Sequence, residues 1–179
     1  MNLPNKLTLL RIILIPFFVF FLLAPVDIPG KQYIALGIFA FASLTDLIDG
    51  KIARKYNLVT NFGKFMDPIA DKLLVSSAMI AFVQMGLLPA WMVIIIIARE
   101  FIISGFRLVA SDAGVVLAAG WWGKFKTAFQ MIMCILLIIN FDNKVMNIVE
   151  LVFIYLSLAT TIISMLDYLI KNRKVISDM

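Results

Sequence analysis

The sequence predicts an all-α fold, that of a polytopic membrane protein with six transmembrane helices around a polar cavity that faces the cytoplasm. Hydrophobic residues make up 63% of the 179 residues, and the mean hydropathy is +1.01. Only 15% of the residues are charged, far below the share in soluble domains. Apolar stretches of spanning length recur six times, separated by short links. We therefore predict a single membrane domain over residues 1–179 and no soluble domain.

Each predicted span is justified by its length, because about 20 apolar residues cross about 30 Å of hydrocarbon. The six spans are residues 7–24, 32–55, 67–85, 89–110, 122–141 and 147–171. A cleaved signal peptide is an alternative for the first span, but Arg11 interrupts its apolar run and no small-residue cleavage site follows. Residues 112–120 are rich in small side chains and fit either a loop or a bent helix.

Basic residues indicate the orientation of the spans. With the N terminus inside, only Lys31 and Lys144 lie outside. The basic residues on the inner side are Lys6, Arg11, Lys51, Arg54, Lys55, Lys64, Arg107, Lys124, Lys126, Lys171, Arg173 and Lys174. Because links rich in lysine and arginine stay in the cytoplasm, we expect both termini and the active site there. The net charge of +5 is then concentrated on the face that meets anionic lipid and phosphate groups.

Four aspartates form the candidate active site, because carboxylates persist beside lipid mainly where they hold ions or protons. Asp46 and Asp49 lie three residues apart at the end of the second span. Asp67 and Asp71 lie four residues apart at the start of the third span. Residues at these spacings share one face of a helix. Two helices are therefore predicted to present carboxylates to one pocket.

A tight turn is predicted between the two acidic pairs. The connecting segment contains Asn57, Asn61 and Gly63, residue types that favour turns. Pro68 is predicted at the first position of the third helix, with Asp67 as its cap, because the N–H that proline lacks would be unpaired there in any case. This hairpin would bring the two pairs together.

The acidic cluster is predicted to bind divalent cations. Four ionised carboxylates repel one another, and roughly two divalent cations would balance a charge of about −4. Oxygen-only ligands point to Mg²⁺ or Mn²⁺, with Ca²⁺ as a weaker alternative. The chain has no histidine and one cysteine, Cys134, which argues against zinc, copper and iron. A single cysteine also excludes a disulfide within the chain.

Two other interpretations of the acids are open. One is a set of solvated carboxylates at helix ends, where acids in a first turn suit the helix dipole. The other is a divalent-ion transporter in which the acids line an ion path. The position of the acids at one membrane face, rather than at its middle, argues against a transporter.

The residues between the acids predict a substrate that contains phosphate. Arg54 lies one helical turn beyond Gly50, and its planar guanidinium can bind a phosphate through two hydrogen bonds. Gly50 and Gly63 remove side chains where a ligand or another backbone comes close. Packing between helices is the alternative for either glycine.

The acidic segment carries a recognisable signature. Residues 46–71 read D-x2-D-G-x2-A-R-x8-G-x3-D-x3-D, which resembles the signature of the CDP-alcohol phosphatidyltransferase family at every specified position. Three further motifs extend the resemblance: Pro4-Asn5-x2-Thr8-x2-Arg11, Ala98-Arg99-Glu100-Phe101 and Gly123-Lys124-x-Lys126-Thr127. Within the family, these motifs are similar to those of members whose acceptor is sn-glycerol 3-phosphate.

The resemblance implies a transferase of phospholipid synthesis. A hydroxyl of sn-glycerol 3-phosphate would attack the lipid-side phosphorus of CDP-diacylglycerol, giving phosphatidylglycerophosphate and CMP. The implied ligands of two Mg²⁺ or Mn²⁺ ions are Asp46, Asp49, Asp67 and Asp71. Asp71 is also the implied general base, although a metal-bound carboxylate is a weak base, so that positioning of the hydroxyl can contribute more. The implied CDP-diacylglycerol-binding residues are Gly50, Ala53, Arg54, Thr60 and Gly63.

The phosphate of the acceptor is expected to be bound by basic residues. Arg107, Lys124 and Lys126 converge on the inner face of the six-span arrangement, although positive-inside topology alone would explain any one of them. Arg99 falls inside the apolar run 91–103, with Glu100 beside it. An arginine in such a run has a partner or a pocket as a rule.

Thr8 and Arg11, early in the first span, are secondary candidates for the same phosphate. The alternative for Arg11 is that its side chain extends to the membrane interface while its stem stays in lipid.

Members of the same family with another acceptor are the main alternative: phosphatidylglycerol in cardiolipin synthesis, serine, or inositol phosphate. A neutral or lipid acceptor would not need Arg107, Lys124 and Lys126. The resemblance also implies a homodimer in the plasma membrane of a bacterial cell. The expected partners are the two substrates and membrane lipid, without nucleic acid.

Overall fold

The structure, a computed structural model, describes residues 2–25, 28–56, 60–112 and 120–173. Within these ranges it describes only the backbone of residues 47, 49, 51, 53–55, 61, 62, 64, 65 and 112. Six α-helices make up the described part: α1 Leu3–Leu23, α2 Lys31–Lys55, α3 Asn61–Gln84, α4 Ala90–Asp112, α5 Trp121–Ile139 and α6 Lys144–Lys171. No strand occurs in these ranges, which confirms the all-α prediction.

Three of the helices, α1, α5 and α6, are long and apolar enough to cross a membrane. Five of the six helices begin and end within a few residues of the predicted spans. Each of these predicted spans is an apolar stretch of about 20 residues, and the same stretch forms the helix. Six crossings of the membrane stay a prediction.

The start of α3 differs from its prediction. The helix begins at Asn61 with Thr60 as its cap, whose hydroxyl accepts a hydrogen bond of 3.0 Å from the Gly63 N–H. Pro68 therefore lies inside the helix, and the prediction that Asp67 caps it was wrong. Gly63 belongs to the first turn of α3 instead of the connecting turn. Thr60 is the helix cap, because its hydroxyl accepts a hydrogen bond from an N–H of the first turn that would otherwise have no partner.

The chain divides into two compact units, residues 1–87 with α1 to α3 and residues 88–179 with α4 to α6. In the first unit α1 packs along both α2 and α3, which contact each other much less. Ile15, Phe18 and Leu22 give α1 a buried apolar face, and the rings of Phe18 and Phe39 lie 5.5 Å apart between centroids. Thus α1 joins the two helices that carry the predicted acids.

In the second unit α6 packs along α5 and also contacts α4. Its core contains Met133 and Leu137 of α5 and Ile154 of α6. The free thiol of Cys134 is fully buried in α5, in agreement with a role in packing. The prediction of one domain over residues 1–179 is not tested by this division and stays a prediction.

Candidate active site

The described acids of the first unit lie on two helices. Asp46 is on α2, and Asp67 and Asp71 follow one another by a single turn on α3. The backbone of Asp49 lies in α2, one turn after Asp46, but its side chain is outside the described part. The same holds for the side chains of two other predicted site residues, Ala53 and Arg54. Asn57 of the predicted turn is also outside the described residues.

Arg11 of α1 is paired with Asp46. Its Nη1 donates a hydrogen bond of 2.7 Å to Asp46 Oδ1, and its Nε donates one of 3.2 Å to the carbonyl oxygen of Ala42. The Arg11 side chain is 0% exposed, and that of Asp46 is 33% exposed. An enclosed guanidinium needs such partners, because leaving it unpaired would be costly. Protein encloses the side chain on all sides, so the alternative that it extends to the membrane interface is wrong.

Thr8, one turn before Arg11, contacts the other acidic helix. Its hydroxyl lies 2.5 Å from Asp67 Oδ1 and 3.1 Å from the carbonyl oxygen of Pro4. One hydroxyl has one proton, and the shorter distance, to a carboxylate, marks the stronger hydrogen bond. Thr8 is fully buried. A side chain of α1 therefore binds Asp67 of α3, just as Arg11 of α1 binds Asp46 of α2.

Gly63 lies where three polar groups meet. A Cβ at this position would be 3.2 Å from Asn5 Oδ1, 3.3 Å from Thr60 Oγ1 and 3.5 Å from Asp67 Oδ2. The Thr60 hydroxyl also donates to Asn5 Oδ1 at 2.9 Å. The neighbours of Gly63 are thus polar side chains of the predicted site. These contacts favour the close-approach interpretation of this glycine over apolar helix packing.

The predicted ligands of a divalent cation in this site are carboxylate oxygens. Carboxylate oxygens suit Mg²⁺ and Mn²⁺. Among the described side chains, no three potential ligands lie close enough together to form a metal site. The fourth predicted ligand, Asp49, is not among those side chains. The four-acid metal site stays a prediction.

A second charged cluster lies in the unit of α4 to α6. Arg99 Nη1 donates to Glu100 Oε1 at 2.8 Å, and Arg99 Nη2 donates to Ser164 Oγ at 2.6 Å. Lys126 of α5 also donates to Glu100 Oε1. Arg99 and Lys126 are buried. The expectation that Arg99 has a partner is confirmed, and both cations bind the Glu100 carboxylate.

Arg107 and Lys124, the other predicted ligands of the acceptor phosphate, are exposed. Lys124 Nζ lies 4.5 Å from the centre of the Trp121 ring, an attraction between a cation and the face of an aromatic ring. The structure thus brings Arg99 and Lys126 together through Glu100, and it places Lys124 on the surface beside Trp121. The phosphate-binding role of all four stays a prediction.

Some members of these clusters were not predicted. Glu100 was noted only as a neighbour of Arg99, and Ser164 was not noted at all. The available signal was a polar face on an apolar helix, since Ser157, Thr161 and Ser164 follow one another at intervals of four and three residues on the buried side of α6. The contacts of Thr8 and Arg11 with the acids were not predicted either.

Comparison with known proteins identifies the family. The family model described as CDP-alcohol phosphatidyltransferase matches residues 1–163. The chain belongs to this family. The match runs through α1 to α5 and into α6, so it includes both acidic helices, α1 that holds them, and the Arg99–Glu100–Lys126 cluster.

Bacterial relatives of this CDP-alcohol phosphatidyltransferase share most of its length. A Bacillus subtilis protein named CDP-diacylglycerol–glycerol-3-phosphate 3-phosphatidyltransferase is 46% identical, over 96% of this chain and 95% of its own. A Haemophilus influenzae protein of the same name is 39% identical, over 94% of this chain and 91% of its own. A Mycobacterium tuberculosis protein named probable phosphatidylglycerophosphate synthase is 36% identical, over 93% and 79% respectively.

Proposed function

We propose that the protein transfers the phosphatidyl group of CDP-diacylglycerol to sn-glycerol 3-phosphate, forming phosphatidylglycerophosphate and CMP in phospholipid synthesis. The observation that carries this proposal is the 46% identity, over 96% of the chain, with a relative whose name states this transfer. The family match over residues 1–163 supports the transferase class independently. The basic residues Arg99 and Lys126 suit a substrate that carries phosphate charges, and the acids of the first unit would do so through bound cations.

In the proposed reaction, a hydroxyl oxygen of glycerol 3-phosphate forms a bond to the phosphorus that carries the diacylglycerol. The bond from that phosphorus to CMP breaks, and the hydroxyl proton passes to a base, for which Asp71 is the candidate. Asp46, Asp49, Asp67 and Asp71 would hold Mg²⁺ or Mn²⁺, two ions by charge balance. When bound, such ions offset the negative charge of the pyrophosphate and of the leaving CMP.

Other residues of the proposed site would bind the cytidine diphosphate part of the substrate and position the acceptor. Arg54 would bind the cytidine diphosphate part, with Gly50, Ala53, Thr60 and Gly63 forming its surface. The absence of a side chain at Gly63 lets Asn5, Thr60 and Asp67 come close to the backbone there. Holding the acceptor hydroxyl in line with the phosphorus contributes to the rate whichever group takes the proton.

The acceptor phosphate is proposed to bind in the second unit. In the described contacts of this cluster, the cations Arg99 and Lys126 pair with the same carboxylate, Glu100, and two neighbouring cations attract an anion such as a phosphate. Arg107 and Lys124 are exposed and thus accessible to a soluble dianion. Serine, which carries no phosphate, would not need these basic residues.

The proposed setting is the bacterial plasma membrane, crossed six times, with both termini and the active site in the cytoplasm. Three helices have the length and composition of a span, and the distribution of lysine and arginine in the sequence supports the orientation. A homodimer is proposed on the resemblance to the family alone.

The proposal is tested by CMP release from the purified protein in detergent with CDP-diacylglycerol and Mg²⁺ or Mn²⁺. We expect release with glycerol 3-phosphate and none with serine, inositol phosphate or phosphatidylglycerol. Release with one of these other acceptors would keep the family and replace the acceptor. Absence of release with every acceptor, together with metal flux into sealed vesicles, would favour the transporter interpretation.

Arg107→Ala and Lys124→Ala are each expected to raise the apparent KM for glycerol 3-phosphate about tenfold or more. A hydrogen bond to a charged group contributes about 1.5–3 kcal/mol, and about 1.4 kcal/mol corresponds to a factor of ten. Steady-state CMP release at varied acceptor concentration measures the effect. Lys144→Ala, which removes an exposed lysine at the start of α6, is the control and should leave KM unchanged. Unchanged KM in both test variants would remove these residues from the acceptor site.

A further inference from the structure

The buried face of α1 carries three polar side chains before its apolar core begins. Asn5, Thr8 and Arg11 are spaced by three residues, so they share one side of the helix. Each contacts one of the acidic helices or its cap: Asn5 meets Thr60, Thr8 meets Asp67 and Arg11 meets Asp46. Because α2 and α3 contact each other little, these side chains form a polar connection between them among the described residues.

The contact of Arg11 fixes the orientation of Asp46. Two different nitrogens of the guanidinium bind α2, one at the Ala42 carbonyl and one at Asp46 Oδ1. Two contacts on a planar group leave it no freedom to rotate, and the side chain is fully buried. With Oδ1 held in this way, the direction of the second oxygen of Asp46 is also set.

The contact of Thr8 does the same for Asp67. Its hydroxyl binds Oδ1 at 2.5 Å, while Oδ2 points to the side where Gly63 has no side chain, 3.5 Å from the position a Cβ would take. One oxygen of each acid is therefore bound to α1. The second oxygen of each acid has a defined direction.

We propose that Thr8 and Arg11 are positioning residues of the transfer reaction, which hold Asp67 and Asp46 in the orientation needed to bind a divalent cation. Groups that hydrogen-bond a ligand side chain orient it, and their loss typically weakens metal binding or activity by about 10- to 100-fold. This inference rests on the proposed function. It differs from the prediction that Thr8 and Arg11 bind the acceptor phosphate, because both side chains are buried and already bound to the acids.

The first test is Mn²⁺ binding by the purified protein without substrates, measured by electron paramagnetic resonance of the free ion. Thr8→Val keeps the shape of the side chain and removes the hydroxyl. We expect its dissociation constant for Mn²⁺ to rise about 10- to 100-fold, with an unchanged KM for glycerol 3-phosphate. Thr8→Ser restores the hydroxyl and should bind Mn²⁺ nearly as the wild type does.

Thr161→Val is the matched control. Thr161 is fully buried and donates to a carbonyl oxygen four residues earlier, as Thr8 also contacts the carbonyl of Pro4. Its loss tests whether any buried threonine hydroxyl affects Mn²⁺ binding through stability. Wild-type Mn²⁺ affinity is expected for this variant.

Arg11→Lys separates orientation from charge. Lysine keeps the positive charge but cannot bind Ala42 and Asp46 through two fixed nitrogens, so we expect weaker Mn²⁺ binding by about tenfold. Wild-type affinity in folded Arg11→Lys would show that charge alone suffices and would overturn the role of Arg11. Gel filtration and thermal unfolding establish which variants fold. If Arg11→Lys does not fold, the Mn²⁺ affinity of Thr8→Val decides the inference.

The outcomes separate this inference from the proposed function. Wild-type Mn²⁺ affinity in Thr8→Val, with a raised KM for the acceptor, would overturn the inference and return Thr8 to the phosphate site. Absence of Mn²⁺ binding by the wild type would overturn it as well. Weakened Mn²⁺ binding in Thr8→Val, from a wild type that uses another acceptor, would support the inference and reject only the acceptor.

Discussion

Asp67→Ala is expected to reduce CMP release to a small residual rate even at saturating concentrations of both substrates. Asp67 is held by Thr8 and lies beside Gly63 at the start of α3, and it is one of the four proposed cation ligands. Charge stabilisation by a bound cation is worth several kcal/mol, so its loss should lower kcat on the order of 1,000-fold. More substrate would not restore the rate, since the defect lies in the transition state. Initial rates of CMP release at several substrate concentrations measure it.

Two further variants test whether the loss of activity comes from the charge of Asp67. Asp67→Asn keeps an oxygen that accepts from Thr8 but removes the charge, and we expect it to be as inactive as Asp67→Ala. Asp142→Ala removes an exposed acid from the link between α5 and α6 and should keep the wild-type rate. If Asp67→Asn turned over normally, the contribution of Asp67 would be structural and the proposed ligand set would lose a member.

Glu100→Gln is expected to destabilise the second unit strongly. It removes the carboxylate that pairs with both buried cations of the cluster, Arg99 and Lys126. Breaking a buried ion pair from one side costs about 3–5 kcal/mol, because the remaining charge is left unpaired. Thermal unfolding of the purified protein in detergent measures the loss. Added inorganic phosphate should partly restore stability, since an anion can take the place of the carboxylate.

Asp167→Asn is the matched control for that variant. It breaks the pair of Lys171 Nζ and Asp167 Oδ1, 2.7 Å apart, in which the lysine is 64% exposed. An exposed pair of this kind contributes about 0.3–0.5 kcal/mol, so the unfolding temperature should hardly change. Equal unfolding temperatures for Glu100→Gln and the wild type would show that the buried cations are balanced by some other group.

The helices were predictable because lipid imposes a simple rule of length on apolar stretches. That rule placed five helices within a few residues, and it failed at α3, where the apolar run starts later than the helix does. Residues 61–67 are polar enough to lie outside an apolar window, yet Thr60 provides the cap that starts the helix. Thr60 and Asp67 were both possible caps for α3, and hydropathy does not indicate which of the two starts the helix.

The partners of the site residues were not predictable in the same way. Spacing shows which residues share a helix face, but Thr8 and Asp67 are 59 positions apart and Arg11 and Asp46 are 35 apart. Such pairings depend on how α1 packs against α2 and α3, which no local pattern encodes. The sequence did show that Arg11 and Arg99 interrupt apolar runs and so need partners. It pointed to Glu100, an immediate neighbour, and could not point to Asp46.

The pairing of Arg11 has a consequence for the synthesis of the protein. A lone arginine in a spanning helix costs at most about 2.5–3.5 kcal/mol during insertion, the value for the helix centre, and Arg11 is synthesised before either of its partner groups. Those groups, at Ala42 and Asp46, leave the ribosome 31 and 35 residues later. The Arg11 guanidinium can therefore reach its paired and buried state only after that part of α2 has been synthesised, so the packing of α1 is completed together with that of α2.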